Sequence, residues 1–430
     1  MADWIIPVFL VFFLAQYLVE TFLTVLNLRG VKAAGDAVPA PLAGHISTET
    51  AGRSSQYTLA KGRLGLAGDA YHTALTLAVL FSGILPWLEA ALAQAGLRGP
   101  HLFVAFLAIL SVALGLANLP FRLTMIFGIE TRFGFNRMTW AMWLKDRLKG
   151  LALSAALGLP LLYGVYAFMA FTGRWWWVWL FCFLTAFQLA MVWLYPVVIA
   201  PLFNKFTPLP EGELRTRVLA LAGKAGFRPR GLFLMDASRR SGHSNAYFTG
   251  FFRPRIVLFD TLLEKVSTDQ ALAVLAHEMG HYRARHVHKA LALNLAASLA
   301  TLYVLSLAIG WAPLFAAFGF PAPGYHSALV LLMLCGGAFT FFLAPLSAWF
   351  SRRNEYQADA FAVALSGGKE ALASALVRLN DDNLANLHPH PWYVRFHYSH
   401  PPLLERLAAM EALAPGVAPP GGMGPIAQSG

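Results

Sequence analysis

Charged residues are scarce in this chain of 430 residues. Asp, Glu, Lys and Arg together make up 13% of it, whereas 57% of the residues are hydrophobic. Soluble globular proteins usually carry about twice that charged fraction. The scarcity argues against an ordinary water-soluble domain. We therefore expect much of the chain to lie in a lipid bilayer.

Cysteine is almost absent as well. Cys182 and Cys335 both lie in apolar stretches, so no disulfide framework is expected. No cysteines have the spacing of a metal site, and any metal would be held by nitrogen and oxygen ligands. The formal net charge is +11, but the basic residues form no ladder with aromatic residues, so no binding to nucleic acid is expected.

Seven apolar stretches are long enough to cross a bilayer, which takes roughly 20 residues. The predicted spans are 4–27, 69–94, 102–119, 151–172, 176–200, 288–312 and 326–349. Of the 33 Lys and Arg residues, only Arg98 and Arg174 fall in the short connections on one side. The positive-inside rule then places the long loops in the cytosol and the N-terminus outside.

The alternation of apolar and polar stretches predicts five parts. They are an N-terminal membrane region with five transmembrane helices (1–200), a cytosolic part (201–287), transmembrane helices six and seven (288–349), soluble helices (350–413) and a disordered tail (414–430). In the cytosolic part we predict strands at 232–235 and 255–259, with a third at 244–251. A helix over 269–285 follows them.

The strongest motif is His277-Glu278-Met279-Gly280-His281. On a helix, residues four apart lie on one face, so both imidazoles can bind one ion. Glu278 is then placed to take a proton from water beside that ion. The alternative is an exposed helix end with two solvated histidines.

A catalytic zinc site needs a third protein ligand and an open fourth position. Glu355 and Asp359 are four apart and share a helix face after the last span. One of them could bind the metal while the other accepts a hydrogen bond from a ligand histidine. The alternative is a solvated acidic face paired with Arg352 or Arg353. The spacing alone leaves both interpretations open.

Further motifs accompany the histidine pair at 27–29, 133–137, 200–206, 244–251, 255–260, 351–359 and 397–402. Together with 277–281 they resemble the type I CAAX prenyl protease family, from the first span to about Leu407. Members of that family are multi-spanning membrane zinc endopeptidases that cleave C-terminal tripeptides from prenylated proteins. The active site of the family lies in a chamber ringed by seven helices.

The resemblance implies a role for each matching residue. It implies one Zn²⁺ per chain with ligands His277, His281 and Glu355, general base Glu278, second carboxylate Asp359, and active-site lining by His400 and Arg406. The expected fold class is mainly α, with about seven transmembrane helices around a chamber. The expected fold also contains a cytosolic zincin-like metalloprotease domain with a small β-sheet, which we call the protease part (201–287).

Substrate binding is predicted at 244–251, as an edge strand to which an extended peptide can add. Asn245 and Ala246 would then lie closest to the scissile bond, and Tyr247 and Arg406 are also expected to bind the substrate. The alternative is an ordinary loop or hairpin. His400 is expected to hydrogen-bond the oxyanion of the substrate, and the alternative is a helix-entry residue before Pro401.

The favoured function is a zinc-dependent endopeptidase that acts on a peptide or protein substrate, prenylated at its C-terminus, at the bilayer. The alternatives are a quality-control protease that cuts misfolded membrane proteins, and a non-catalytic scaffold or transporter. The Ala/Leu-rich composition favours a bacterial member in the inner membrane, with the catalytic part in the cytosol. His243, His286 and His288 are interpreted as interfacial residues rather than as a second metal site.

Overall fold

The computed structural model describes residues 3–226, 229–249 and 255–413. The predicted disordered tail at 414–430 lies outside these residues. Residues 250 and 251, at the end of the predicted third strand, also lie outside them.

Helices dominate the described chain and confirm the mainly α, multi-spanning fold. Seven of them are long and apolar enough to cross a membrane, namely Ile5–Ala34, Thr48–Phe81, Gly99–Ala117, Trp140–Phe171, Gly173–Phe203, His286–Ala308 and Tyr325–Ser366. Many of their apolar side chains are exposed, including Leu18, Leu151 and Trp193. Helices that face lipid expose such side chains because hydrocarbon tails solvate them.

The N-terminal helices are α1 (Ile5–Ala34), α2 (Thr48–Phe81), α3 (Ile84–Gln94), α4 (Gly99–Ala117), α5 (Leu119–Leu123), α6 (Trp140–Phe171), α7 (Trp176–Leu194) and α8 (Ala200–Phe203). π-Helical segments join α5 to Thr131 and α7 to α8, at Thr124–Glu130 and Tyr195–Ile199. The π-helical segment before Thr131 therefore extends the third span toward the protease part.

The second span differs from its prediction at 69–94. Helix α2 begins 21 residues earlier, where the Ser47 hydroxyl accepts the Thr50 amide proton, and it ends before Gly83. Gly83 has φ 79°, a left-handed conformation that favours glycine and breaks the helix there. The predicted loop at 29–68 is therefore largely helical. A hydropathy window finds the most apolar stretch of a helix but not its ends.

The protease part contains a mixed sheet of four strands: β1 (Phe206–Pro208), β2 (Gly231–Met235), β3 (Ala246–Thr249) and β4 (Arg255–Phe259). The strand order is β1-β2-β4-β3, with β2 and β4 parallel and the other pairs antiparallel. The predicted strands are confirmed within the described residues, and β3 lies at an edge as predicted. Strand β1 was not predicted.

The remaining helices complete the described chain. They are α9 (Glu213–Lys224), α10 (Asp260–Leu263), α11 (Thr268–Arg283), α12 (His286–Ala308), α13 (Ala312–Ala317), α14 (Tyr325–Thr340), α15 (Ala344–Ser366), α16 (Glu370–Asp382), α17 (Pro391–His397) and α18 (Leu403–Glu411). Helix α11 packs its apolar face against the sheet and α15, in a core that contains Leu258, Leu275, Met279 and Phe361. This core holds the chemistry-bearing helix in place.

The seventh span does not stop at the membrane boundary. Helix α14 continues through one 3-10 turn, Phe341–Leu343, into α15, which ends at Gly367 with φ 75°. One long helical segment therefore connects the bilayer to the predicted ligand Glu355.

Candidate active site

Helix α11 carries both histidines of the motif. Its first turn is closed by a capping box in which the Ser267 hydroxyl accepts the Gln270 amide proton and the Gln270 side chain accepts the Ser267 amide proton. His277 and His281 lie one turn apart, with their Nε2 atoms 3.1 Å apart. Two nitrogens bound to one tetrahedral zinc would be roughly 3.3 Å apart.

Glu355 on α15 faces the two histidines. Its Oε2 atom lies 3.3 Å from His277 Nε2, and its Oε1 atom lies 3.2 Å from His281 Nε2. The carboxylate is buried, yet Oε2 has no hydrogen-bond partner among the residues that the structure describes. A buried oxygen in this position requires a positive partner. Two imidazoles and one carboxylate form a ligand set of catalytic zinc sites, so the residues fit a metal.

The three ligand atoms come together because α11 and α15 pack unusually closely at Gly280. A Cβ atom at this position would lie 2.9 Å from the Cα atom and 3.0 Å from the carbonyl oxygen of Ala358. Both contacts are with backbone atoms, which cannot turn aside. Glycine at 280 therefore allows the helix with the histidines to reach the helix with the carboxylate.

Asp359 and Arg406 hold His277 from behind. Asp359 Oδ1 lies 2.8 Å from His277 Nδ1, and Arg406 donates to both oxygens of Asp359 at 2.6 and 2.8 Å. The acceptor at Nδ1 fixes the imidazole proton there and leaves Nε2 to face the ligand set. Burial lowers the pKa of His277, but interactions with the carboxylates of Asp359 and Glu355 outweigh burial and raise the pKa to about 9. The second proton, which the raised pKa favours on Nε2, must be displaced before a metal can bind there.

Glu278 follows the first ligand and is half-buried. Burial raises the pKa of its carboxyl group, and the nearby His277 and His281 oppose this effect. No hydrogen bond fixes this side chain among the residues that the structure describes.

His400 reaches the site from the segment between α17 and α18. Its Nε2 atom lies 3.3 Å from Glu355 Oε1, and its Nδ1 atom lies 2.9 Å from the Ser399 hydroxyl. The side chain is 64% exposed, so it borders open space beside the ligands. The structure thus brings together seven predicted site residues: His277, Glu278, His281, Glu355, Asp359, His400 and Arg406.

The edge strand β3 presents alternate residues to opposite sides. The Phe259 amide donates to the Asn245 carbonyl oxygen at 3.1 Å, so 245 and 247 pair with β4 and the Ala246 amide points to the open edge. The Asn245 side-chain oxygen accepts that amide proton at 2.8 Å. The Tyr247 side chain packs with Phe206 on the sheet face away from α11. This geometry does not support the predicted contact of Tyr247 with a substrate.

His286 was interpreted as an interfacial residue, and this interpretation is wrong. The side chain is buried against the site, with Nδ1 3.0 Å from His281 Nδ1 and Nε2 3.0 Å from Gln357 Oε1. The only sequence signal for a contact between His281 and His286 was their separation of five residues. It does not match a helical repeat, because a turn lies between the two histidines, so spacing alone could not pair them.

Comparisons with known proteins cover both halves of the chain. Residues 27–205 match the family model described as CAAX prenyl protease N-terminal, five membrane helices, and residues 208–414 match the model of peptidase family M48. The chain is 38% identical to the CAAX prenyl protease 1 homolog of Oryza sativa subsp. japonica, over 94% of this chain and 96% of the relative. It is 35% identical to CAAX prenyl protease 1 of Saccharomyces cerevisiae, over 93% and 94%.

A solved structure shows the same architecture. The crystal structure of S. mikatae Ste24p matches with a TM-score of 0.87 and 32% sequence identity, covering 94% of this chain and 98% of that chain. The similarity includes the membrane helices and the protease part alike.

Proposed function

The chain belongs to the CAAX prenyl proteases of peptidase family M48, and on this premise we propose that it is a zinc endopeptidase which cleaves prenylated proteins near their C-terminus. Membership makes it a multi-pass membrane metalloendopeptidase that acts on peptide bonds. The convergence of His277, His281 and Glu355 within 4.8 Å carries the proposal. A scaffold or transporter would need no such set.

The proposed metal is one Zn²⁺, held by His277, His281 and Glu355. Nitrogen ligands suit zinc, whereas magnesium and calcium prefer oxygen ligands alone. When bound, zinc supplies Lewis acidity, which lowers the pKa of water toward about 7 and polarises a carbonyl group. The close contact of Gly280 on α11 with the backbone of Ala358 on α15 holds the two imidazoles next to the carboxylate.

Glu278 is proposed as the general base. It takes a proton from the attacking water and delivers it to the amine of the leaving peptide. Its raised pKa brings the carboxyl group closer to neutral pH, where both transfers are efficient.

His400 is proposed to donate a hydrogen bond to the substrate carbonyl oxygen as negative charge develops there. Its position next to Glu355 and its exposed side chain support this role. Donors of this kind contribute about 3 kcal/mol in other hydrolases. Arg406 acts through Asp359 and is not placed to touch a substrate.

The open edge of β3 is proposed to bind the substrate as an added strand. The outward Ala246 amide supports this, because main-chain hydrogen bonds are the basis of strand addition. The Asn245 side chain, which covers that amide, would move aside and contact the incoming peptide.

Proline at Ala246 tests the edge. The substitution removes one outward amide and leaves the hydrogen bonds of 245 and 247 with β4 in place. We expect kcat/KM for peptide cleavage to fall by at least about tenfold, since one hydrogen bond and the approach of the strand are lost. Ala246→Gly keeps the amide and serves as the matched control. Normal cleavage by the proline variant, with normal zinc content, would exclude β3 as the substrate strand.

We further propose that the protease part faces the cytosol, because Lys and Arg residues concentrate on its side of the spans. An inner membrane of a bacterium is the proposed location. The relatives named above are eukaryotic, which argues against a bacterial source.

Cleavage of a farnesylated CAAX peptide by the detergent-purified, zinc-loaded protein tests the function directly. We expect release of the C-terminal tripeptide, and slower cleavage of the same peptide without the farnesyl group. Equal rates for both peptides would contradict a requirement for the prenyl group. They would favour a membrane quality-control protease with the same zinc chemistry.

A further inference from the structure

His286 occupies a junction between the metal site and the membrane. It is the first residue of α12, the sixth candidate span, and its side chain is 5% exposed. The imidazole lies between His281 and Gln357, with one ring nitrogen 3.0 Å from each partner. Both ring nitrogens of His286 therefore contact residues of the site.

The proton positions in this chain follow from the donors and acceptors. An amide oxygen only accepts, so a contact with Gln357 Oε1 places the His286 proton on Nε2. The Nδ1 atom of neutral His286 then accepts, and the proton between the two imidazoles belongs to His281 Nδ1. This arrangement leaves a lone pair on His281 Nε2, the atom that faces His277 and Glu355.

The opposite arrangement is incompatible with metal binding. If the Gln357 carboxamide were turned to donate, His286 would carry its proton on Nδ1 and donate to His281 Nδ1. His281 would then hold its proton on Nε2, and it could not act as a ligand through that atom. The orientation of Gln357 and the tautomer of the ligand are thus linked through His286.

The backbone before His286 is built to bring this side chain back onto α11. Arg285 has φ 56° and ψ 35°, a left-handed conformation that residues other than glycine adopt rarely. The amide of Arg285 donates to the Tyr282 carbonyl oxygen at 3.1 Å, and its own carbonyl accepts the Lys289 amide proton at 3.0 Å. The left-handed residue therefore separates α11 from α12 and allows His286 to contact His281, five residues earlier.

We propose that His286 is a positioning residue that fixes the tautomer and orientation of the zinc ligand His281. The proposal rests on the proposed role of His281 in zinc binding. Helix α15 then orients both histidine ligands, His277 through Asp359 and His281 through Gln357 and His286. The first residue of a membrane span thereby takes part in metal binding without touching the metal.

Metal affinity of two His286 variants tests the proposal. His286→Leu keeps the bulk but removes the acceptor, whereas His286→Asn can place its Oδ1 atom close to the position of the histidine Nδ1. We expect the zinc dissociation constant, measured by chelator competition, to rise by about 10- to 100-fold in His286→Leu. His286→Asn should stay within about threefold of the unaltered protein. The cobalt-substituted absorption spectrum should change in the leucine variant and recover in the asparagine variant.

His288→Leu is the matched control, since it alters the same residue type two positions further along α12, and its zinc affinity should be unchanged. Wild-type affinity in His286→Leu would overturn the proposal. So would equal losses in the leucine and asparagine variants, because packing rather than the acceptor would then be responsible. The proposed function is tested separately by zinc binding to the unaltered protein. That protein must bind one zinc before any of these comparisons can support a positioning role for His286.

Discussion

Glutamine at position 278 is expected to lower peptide turnover by about 10³-fold, because a carboxamide of the same size cannot accept a proton. Glu278 lies directly after a ligand on α11, and burial raises the pKa of its carboxyl group. Among the described residues no hydrogen bond restrains the Glu278 side chain. The substitution should therefore impair proton transfer rather than the fold. Steady-state cleavage of the farnesylated peptide measures the effect.

Zinc content and thermal unfolding separate this effect from damage to the fold. Both should match the unaltered protein, since Glu278 is not among the three converging ligand atoms. Glu264→Gln, at an exposed position before α11, is the matched control and should retain full activity. A Glu278→Gln variant that keeps more than a tenth of the turnover would exclude Glu278 as the general base.

Asparagine at position 359 is expected to damage both stability and metal binding. Asp359 accepts two hydrogen bonds from Arg406 and one from His277, and the side chains of Asp359 and Arg406 are 3% and 11% exposed. Removing the negative charge leaves a buried guanidinium without a counter-charge, which costs about 3 kcal/mol. Zinc affinity should also fall by about 10- to 100-fold, because the acceptor for His277 Nδ1 is weakened. Chemical denaturation and chelator competition measure the two effects.

A double variant identifies the cause of the instability. Asp359→Asn combined with Arg406→Met removes both charges, and it should be less destabilised than the sum of the two single variants. Asp269→Asn breaks an exposed ion pair between Asp269 on α11 and Arg217 on α9, and it should have a far smaller effect. Additive losses in the double variant would show that the two buried side chains do not act as a pair.

The three residues that could hold a metal were predictable from the sequence because each lies in a local pattern. Two histidines four apart define a helix face whatever the rest of the fold does, and the 351–359 motif supplied the carboxylate by resemblance. The pairing of His286 with His281 depends instead on the left-handed turn at Arg285. No helical or strand period describes such a turn, so the contact is visible only in three dimensions.

The same distinction explains the errors in the fold. Strand β1 has three residues and ends in Pro208, so it has too little sequence for a period-2 pattern, and only its pairing with β2 defines it. The second span was misplaced because one side of its polar first half packs against other parts of the protein. Tyr57, for example, is 4% exposed and donates a hydrogen bond to Glu130. Hydropathy alone cannot distinguish a polar helix that packs against the protein from a polar loop.

The segment that runs from α14 through a 3-10 turn into α15 ties the position of Glu355 to the seventh candidate span. Glu355 lies six residues beyond the apolar stretch predicted at 326–349, or about 9 Å of helix. A bilayer that does not match the apolar length of a span tilts the helix or is itself deformed, at a cost of a fraction of a kcal/mol per Å. A change in the tilt of α14 would reach the proposed ligand Glu355 through the 3-10 turn at Phe341–Leu343 and the first half of α15. We therefore expect lipid chain length to influence turnover.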